Sequence, residues 1–274
     1  MPALLVNGIA LQYQDYGDSA APLIVLVQGT GAKGDVWTLH QVPEFVTAGY
    51  RVITYDNRGI SIVPGQNETF CPEISVADLV ADLAQLITHT GGPAHVIGTS
   101  LGARVVQELA LAHRDLVRSV VAMGAHARTE AVADLLTKGE QELFDRRITL
   151  PPAYQAAVSA MLNLSPATLR DPAKARDWLA ILEHAAAPAS SGERGQLGSS
   201  ERLGDRTQAY RAIDRPLLVI GFADDLMVPA HLGREVADAV PGARYAEVPD
   251  AGHFGYLEHP EDVNSLILGF LAGH

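Results

Sequence analysis

Cysteine and positive charge are scarce in this chain of 274 residues. Its one cysteine, Cys71, allows no internal disulfide and has no second cysteine nearby to build a metal site, so we expect a buried structural thiol. Lys and Arg number 20 against 32 Asp and Glu, which gives a formal net charge of −12. A negative balance of this size disfavours contact with phosphate backbones, and we expect no nucleic-acid partner.

Long apolar runs are missing as well. No stretch of about 18 uninterrupted apolar residues suggests a membrane span, and residues 1–8 lack the basic and apolar regions of a signal peptide. With 47% hydrophobic and 19% charged residues, the composition is that of a globular protein. We therefore expect a cytoplasmic protein that does not bind membranes and is either a monomer or a homodimer.

Short apolar runs alternate with helical patterns along most of the chain. The nearly continuous Val, Ile and Leu content of five runs predicts central strands of a parallel sheet, at 23–27, 51–55, 94–97, 117–123 and 217–220. Residues 10–16 alternate apolar and polar side chains and predict an edge strand. Helices are predicted at about 37–48, 75–89, 101–112, 231–240 and 260–272. This alternation implies right-handed crossovers with helices on both faces of the sheet.

The alternation stops between about 127 and 213. Only helical patterns occur there, at 130–147, 152–162, 172–187 and 201–211. We expect residues 1–126 and 214–274 to form an α/β core and residues 127–213 to form a helical cap inserted between two strands. Four glycines and four serines between 188 and 204 predict a mobile loop within the cap.

One serine lies where a predicted strand runs directly into a predicted helix. It is the centre of Gly98-Thr99-Ser100-Leu101-Gly102. A turn this sharp forces its central residue towards positive φ, and side chains two residues to either side would collide with the strand and the helix. Glycine at both flanking positions removes that collision, so the pattern predicts an exposed nucleophile above a helix N-terminus that favours negative charge.

A serine hydroxyl needs a base at neutral pH, and the base needs an acid to orient it. Asp224 and Asp225 follow the strand predicted at 217–220, and His253 follows a strand predicted at 245–248. Because the carboxyl ends of parallel strands meet at one edge of a sheet, Ser100, an aspartate and His253 are expected to lie together. The order serine, aspartate, histidine differs from the orders in chymotrypsin and subtilisin.

Five motifs in this order resemble the α/β-hydrolase superfamily over residues 23 to about 271. They are Gln28-Gly29-Thr30-Gly31, Tyr55-Asp56-Asn57-Arg58-Gly59, Gly98-Thr99-Ser100-Leu101-Gly102, residues 225–229, and Gly252-His253-Phe254 with Leu257-Glu258-His259-Pro260. Within the superfamily the chain resembles capped enzymes akin to non-haem haloperoxidases, enol-lactonases and small esterases, and more loosely hydrolases of actinobacterial natural-product pathways. The resemblance implies an α/β-hydrolase fold: a mostly parallel sheet, helices on both faces and an inserted helical cap.

The resemblance also implies roles for single residues. The acid of the family lies four residues before a proline, which selects Asp225 over Asp224 here. The backbone N–H groups of Leu101 and Thr30 would form the oxyanion hole. Most relatives have His-Gly where this chain has Gln28-Gly29, but Gln28 can still hydrogen-bond the loop, so we expect the hole to survive.

The expected reaction is cleavage of an ester, thioester or lactone of a small to medium, largely apolar substrate through an acyl-enzyme on Ser100. Substrate-binding candidates are Gln28, Gly29, Trp37 and His126, although Trp37 also fits the core and His126 a loop. No histidines pair at metal-ligand spacing, so neither metal nor cofactor is expected. Acyl transfer or cyclisation, lyase or C–C cleavage chemistry and perhydrolysis stay open as alternatives, as does a silent ligand receptor.

Overall fold

A computed structural model describes residues 2–61, 73–186 and 189–274 of the chain, so Cys71 lies outside the described residues. The strands of the described part are β1 (Ala3–Val6), β2 (Ile9–Tyr16), β3 (Leu23–Val27), β4 (Arg51–Tyr55), β5 (Ala94–Thr99), β6 (Val117–Met123), β7 (Leu217–Phe222) and β8 (Arg244–Val248). Its α-helices are α1 (Gln41–Thr47), α2 (Val76–Thr90), α3 (Leu101–Ala112), α4 (Ala131–Asp145), α5 (Pro152–Asn163), α6 (Pro166–Arg170), α7 (Pro172–Ala185), α8 (Ser191–Gln196), α9 (Ser199–Leu203), α10 (Thr207–Tyr210), α11 (Ala230–Ala239), α12 (Gly255–Glu258) and α13 (Pro260–Leu271). Within the described ranges, no helix is both long and apolar enough to cross a membrane.

The eight strands form one sheet in the order β1-β2-β4-β3-β5-β6-β7-β8. Neighbours from β4 to β8 in this order run parallel, whereas β2 pairs antiparallel with both β1 and β4. The predicted mostly parallel α/β fold is confirmed. The prediction that residues 10–16 form an edge strand is wrong for their first part, because β1 pairs with residues 9–12, whereas residues 13–16 pair with β4. Alternating polarity reports which faces are buried, and it carries no information about backbone pairing along the strand's sides.

Alternate side chains of the central strands enter two separate cores. In β3, Leu23, Val25 and Val27 belong to the cluster that contains residues of α2, α3 and α11. Ile24 and Leu26 point the other way, into the cluster that contains residues of α1 and α13. Each fully buried side chain of this kind stabilises the fold by about 1.5–3 kcal/mol. Burial on both faces is why the central strands are nearly continuous apolar runs in the sequence.

Seven helices, α4 to α10, lie between β6 and β7 in the described part of the chain. The mobile loop predicted at 188–204 is not observed there, because most of it forms α8 and α9. The helix predicted at 201–211 is interrupted at Gly204, whose φ of +72° ends α9. Glycine and serine suggested a loop because of their low helix propensity, but tertiary packing overrides that weak preference.

A fully buried arginine joins the helix that follows Ser100 to this helical segment. The Arg104 guanidinium in α3 donates to the carbonyls of His126, Ser200 and Gly204 and to the hydroxyl of Tyr210. Burial lowers the pKa of Arg104 because desolvation penalises its charged form. The guanidinium therefore replaces water as the partner of several inward-facing oxygens.

The Arg104→Met variant is expected to lower the free energy of unfolding by about 2–4 kcal/mol, because the methionine leaves buried oxygens without donors. Urea denaturation followed by circular dichroism would measure this change. Arg114→Met is the matched control, since Arg114 makes an exposed ion pair with Asp214 and should cost less than about 1 kcal/mol. Equal effects of the two substitutions would contradict the prediction.

Candidate active site

Ser100 adopts a backbone conformation that is strained for any residue with a side chain. Its φ is 57° and its ψ is −119°, between the end of β5 and the start of α3. A Cβ on Gly98 would lie 2.2 Å from the carbonyl oxygen of Gly102, and a Cβ on Gly102 would lie 2.1 Å from that of Val27. These contacts are with backbone that cannot move aside, so both positions require glycine. The turn carries strain of about 1–3 kcal/mol, and it presents the Ser100 side chain above the sheet.

The Ser100 hydroxyl is left available by its surroundings. The Ser100 amide is held by the carbonyl of Met123 at 2.9 Å, which ties the turn to the end of β6. The side chain does not cap α3. Instead Ser100 lines a cavity of about 1100 Å³, together with His253 and His126.

His253 is bonded to a buried carboxylate. Its Nδ1 lies 2.7 Å from Asp225 Oδ2, and the Asp225 side chain is 0% exposed. The other carboxylate oxygen, Oδ1, accepts from the amides of Met227 and Val228, both at 2.8 Å. With Asp225 ionised, this geometry requires a proton on Nδ1, which leaves Nε2 as the ring nitrogen that can accept a proton. Asp224 is partly exposed, and its amide donates to the carbonyl of Ala251.

Gly124 marks the point where these groups meet, and the sequence patterns did not single it out. A Cβ on Gly124, whose φ is +52°, would lie 3.5 Å from Asp225 Oδ2 and 3.5 Å from His253 Cε1. Gly124 directly follows Met123, whose carbonyl holds the Ser100 amide. The end of β6 therefore forms a floor beneath the serine, the histidine and the aspartate. A glycine directly after a central strand is the signal that could have pointed to it.

Two residues that line the cavity with Ser100 have backbone N–H groups without an acceptor in the described part of the chain. Thr30 and Leu101 both line it, and among residues 2–61, 73–186 and 189–274 neither amide has an acceptor. Gly29 packs directly against the serine, since a Cβ there would lie 3.3 Å from Ser100 Cβ. Unpaired, fixed N–H groups next to a nucleophile can stabilise an oxyanion without reorganisation.

The structure brings only part of the predicted substrate-binding set to the cavity. Gly29 and His126 line it, whereas Gln28 and Trp37 do not. Gln28 is 0% exposed and donates from Nε2 to the carbonyl of Tyr55 at 2.8 Å. It therefore fixes the loop after β3 to the end of β4. Trp37 is buried in the core against Tyr256, with ring centroids 4.9 Å apart. An aromatic residue near the sheet edge fits either place by sequence, and only the packing distinguishes them.

Most of the apolar cavity wall comes from residues that the sequence patterns did not assign. Side chains from α4 and α5 contribute, together with two residues from the loops that carry Asp225 and His253: Leu136, Phe144, Val158, Leu162, Leu226 and Phe254. The periodicity of α4 and α5 reports an apolar face but does not say what that face covers. The wall is therefore suited to an apolar substrate group.

His126 is a neutral imidazole in this wall. It is 5% exposed, and burial, reinforced by the charge of Arg104, lowers its pKa to about 3. Above that pH the ring is uncharged, so it can donate or accept one hydrogen bond but adds no positive charge beside Ser100.

Two carboxyl groups from the helical segment also line the cavity. Burial, and to a smaller extent the charge of the nearby Glu193, raises the pKa of Glu140 to about 7. Burial also raises the pKa of Glu193. Both groups therefore hold their protons more tightly in the folded protein than in the unfolded chain. The native state loses stability as pH rises from the ordinary Glu140 value of 4.5 to about 7.

The Glu140→Gln variant is expected to match the wild type in stability at about pH 4.5 and to exceed it at about pH 8, because glutamine never ionises. Thermal unfolding at both pH values would measure the difference. Glu183→Gln on the exposed side of α7 serves as the control, with no pH-dependent difference expected. A Glu140→Gln difference that is the same at both pH values would contradict the prediction.

Comparison with known proteins gives matches along nearly the whole chain. The family model described as the alpha/beta hydrolase fold matches residues 22–260. A Mycobacterium tuberculosis protein, provisionally named as the non-heme bromoperoxidase BpoC, is 42% identical over 264 residues, covering 96% of this chain and 98% of that protein. Its crystal structure superposes with a TM-score of 0.89 and covers 97% of this chain and 96% of that one.

Two more distant relatives carry names of hydrolases. A Shigella flexneri protein provisionally named as the carbamate hydrolase RutD is 29% identical over 276 residues, covering 96% of both chains. The enol-lactonase of Burkholderia xenovorans LB400 is 26% identical with a TM-score of 0.83, covering 99% of this chain and 100% of that one. The expected likeness to haloperoxidase and enol-lactonase types is confirmed, and the chain belongs to the α/β-hydrolase fold family.

Proposed function

We propose that this protein is a serine hydrolase that cleaves an ester, thioester or lactone of a small to medium, largely apolar substrate. One observation carries the proposal. Ser100 lies on a strained strand-to-helix turn and shares a cavity with His253, whose Nδ1 is hydrogen-bonded to the buried carboxylate of Asp225. The strained backbone of Ser100 lowers the stability of the fold, and burial of the Asp225 carboxylate removes its hydration. Such unfavourable features are typical of functional sites.

In the proposed mechanism His253 Nε2 takes the proton of the Ser100 hydroxyl as the oxygen attacks the substrate carbonyl. Asp225 holds the ring in the required tautomer and stabilises the imidazolium that forms. The amides of Thr30 and Leu101 donate to the oxyanion of the tetrahedral intermediate. His253 then returns its proton to the leaving oxygen or sulfur. Water then attacks the acyl carbon while His253 takes one of its protons. The bond from the acyl carbon to Ser100 Oγ breaks, and His253 returns the proton to that oxygen as the acid product leaves.

We further propose that residues 127–213 act as a cap that selects the acyl group. Support comes from the apolar side chains that α4 and α5 contribute to the cavity, and from its volume of about 1100 Å³. Apolar side chains around the reacting carbonyl exclude water and strengthen the electrostatic interactions there.

Perhydrolysis is the second candidate, and the 42% identity to a protein named as a bromoperoxidase favours it. In this reaction hydrogen peroxide replaces water as the acceptor of the acyl group. The peroxide oxygen bonds to the acyl carbon, the bond to Ser100 Oγ breaks, and the products are a peracid and the free serine. The peracid would then oxidise bromide in solution and return to the carboxylic acid.

The deciding experiment combines a fluorophosphonate probe with p-nitrophenyl esters of increasing chain length. We expect a stoichiometric adduct on Ser100 and ester turnover that the Ser100→Ala variant lacks. Thr99→Ser is the matched control on the same turn. Absence of the adduct, together with unchanged turnover by Ser100→Ala, would overturn the serine mechanism. An adduct without turnover of any ester, but with peracid formation from acetate and hydrogen peroxide, would favour the second candidate.

A further inference from the structure

Helix α8 reaches back to the loop that carries Thr30. The Gly31 amide donates to Gln196 Oε1 at 3.1 Å, and Gln196 Nε2 donates to the carbonyl of Arg58 at 3.2 Å. The Gln196 side chain is buried, with 1% of the residue exposed. One amide side chain from the segment between β6 and β7 thus connects two loops that leave neighbouring core strands, β3 and β4.

Direct backbone contacts hold α8 in place. A Cβ on Gly192 would lie 1.9 Å from the carbonyl oxygen of Gly59, and one on Gly59 would lie 2.7 Å from Gly192 Cα. The Ile74 amide donates to the carbonyl of Gly195 at 2.7 Å. Only glycine allows two backbones to come this close, so Gln196 extends from a helix that is docked tightly on the core.

The loop that Gln196 holds can adopt many backbone conformations by itself. Thr30 lies between Gly29 and Gly31, and Gly31 has a φ of +73°. Glycine loses more backbone entropy on ordering than other residues, so such a loop needs external contacts to stay in one conformation. The hydrogen bond from the Gly31 amide to Gln196 fixes the plane of the Thr30–Gly31 peptide. This peptide adjoins the Gly29–Thr30 peptide, which carries the Thr30 N–H group. The Thr30 amide is then left without an acceptor in the described part of the chain.

We propose that Gln196 is a positioning residue of the oxyanion hole, and that α8 completes this hole from outside the core. The inference rests on the proposed function, since the hole has a role only if Ser100 forms a tetrahedral intermediate. Gln196 acts through the Thr30-Gly31 peptide and is not required to touch the substrate. Its removal should therefore weaken binding of the transition state more than binding of the ester.

The test measures kcat and KM for p-nitrophenyl butyrate and the rate constant for labelling of Ser100 by a fluorophosphonate. Gln196→Met is expected to lower kcat and the labelling rate by about 10- to 100-fold and to change KM by less than about threefold. Gln196→Glu keeps an oxygen that accepts from Gly31, so it should retain more activity than Gln196→Met. The control is Gln85→Met in α2, which also removes a glutamine hydrogen bond, from Gln85 Nε2 to Asn7 Oδ1.

A second pair of variants tests the same inference without altering a polar side chain. Gly192→Ala places a methyl group against the Gly59 backbone and should displace α8, and with it Gln196. We expect the same loss of kcat at nearly constant KM. Gly139→Ala is the control, because a Cβ there meets nothing within 4 Å.

The outcomes separate this inference from the proposed function. Turnover that survives Ser100→Ala contradicts the proposed function itself. Turnover that depends on Ser100, but keeps its kcat within twofold in both Gln196→Met and Gly192→Ala, overturns the role of Gln196 alone. Losses in Gln196→Met that Gln85→Met reproduces would also overturn it, since they would report general destabilisation. If Gln196→Met does not fold, Gly192→Ala measured against Gly139→Ala decides by the same kcat criterion.

Discussion

Replacement of His253 by alanine is expected to lower kcat for ester hydrolysis by about 10⁶-fold, the scale on which loss of the base disables a serine nucleophile. Without the imidazole, the Ser100 hydroxyl loses the base that is bonded to Asp225 and shares the cavity with it. His126 cannot substitute, because its pKa is lowered to about 3 and it is a correspondingly weak base. The measurement is single-turnover and steady-state hydrolysis of p-nitrophenyl esters.

The effect should be confined to the chemical step. Thermal stability of His253→Ala is expected to stay near that of the wild type, because Asp225 keeps its hydrogen bonds from Met227 and Val228. His184→Ala, on the exposed surface of α7, is the matched control and should hydrolyse esters at the wild-type rate. Residual activity of His253→Ala within about tenfold of the wild type would remove His253 from the mechanism.

The Asp225→Asn variant is expected to lose about 10⁴-fold in kcat. Asp225 Oδ1 accepts two backbone N–H groups, so the asparagine must keep its oxygen at that position. Its NH₂ group then faces His253 Nδ1, which is 2.7 Å from Oδ2 in the wild type. The ring must accept there, which moves its proton to Nε2. In that tautomer His253 can no longer take the proton of Ser100.

Asp224→Asn provides the control at the adjacent position. Asp224 is partly exposed and is held through its backbone amide, so we expect kcat within about threefold of the wild type. The contrast between the two substitutions tests the spacing rule that selects the second aspartate. A large loss in Asp224→Asn with near-normal turnover in Asp225→Asn would reverse the assignment.

The elements best predicted from sequence were those whose burial leaves a local pattern. Residues 23–27, 51–55 and 117–123 were predicted as strands with the bounds they have in the structure, because side chains on both faces are buried. Residues 10–16 fit their predicted pattern less well, because only Leu11 among them is buried, and the pattern did not report the pairing with β1. Pairing along a strand's side uses backbone groups that every residue possesses, so side-chain patterns do not report it.

The helical segment between β6 and β7 was predicted less accurately than the core. Helix α5 was predicted to within one residue of its bounds, whereas α6 was missed and α8 and α9 were mistaken for a loop or for part of a longer helix. Short helices have little propensity of their own and depend on tertiary contacts. In α8 those contacts are made by Gly192, the residue type that argues most strongly for a loop when the sequence is considered alone.

The α/β-hydrolase fold and the position of one serine on a strained turn could be predicted from the amino-acid order, because both depend on neighbours along the chain. The periodicity of buried strands and the glycines beside Ser100 are local requirements. The packed structure was needed to show that Trp37 lies in the core and that Gln196 bonds the amide of Gly31 across 165 positions of sequence. Such contacts depend on how distant elements pack, and no local pattern encodes them.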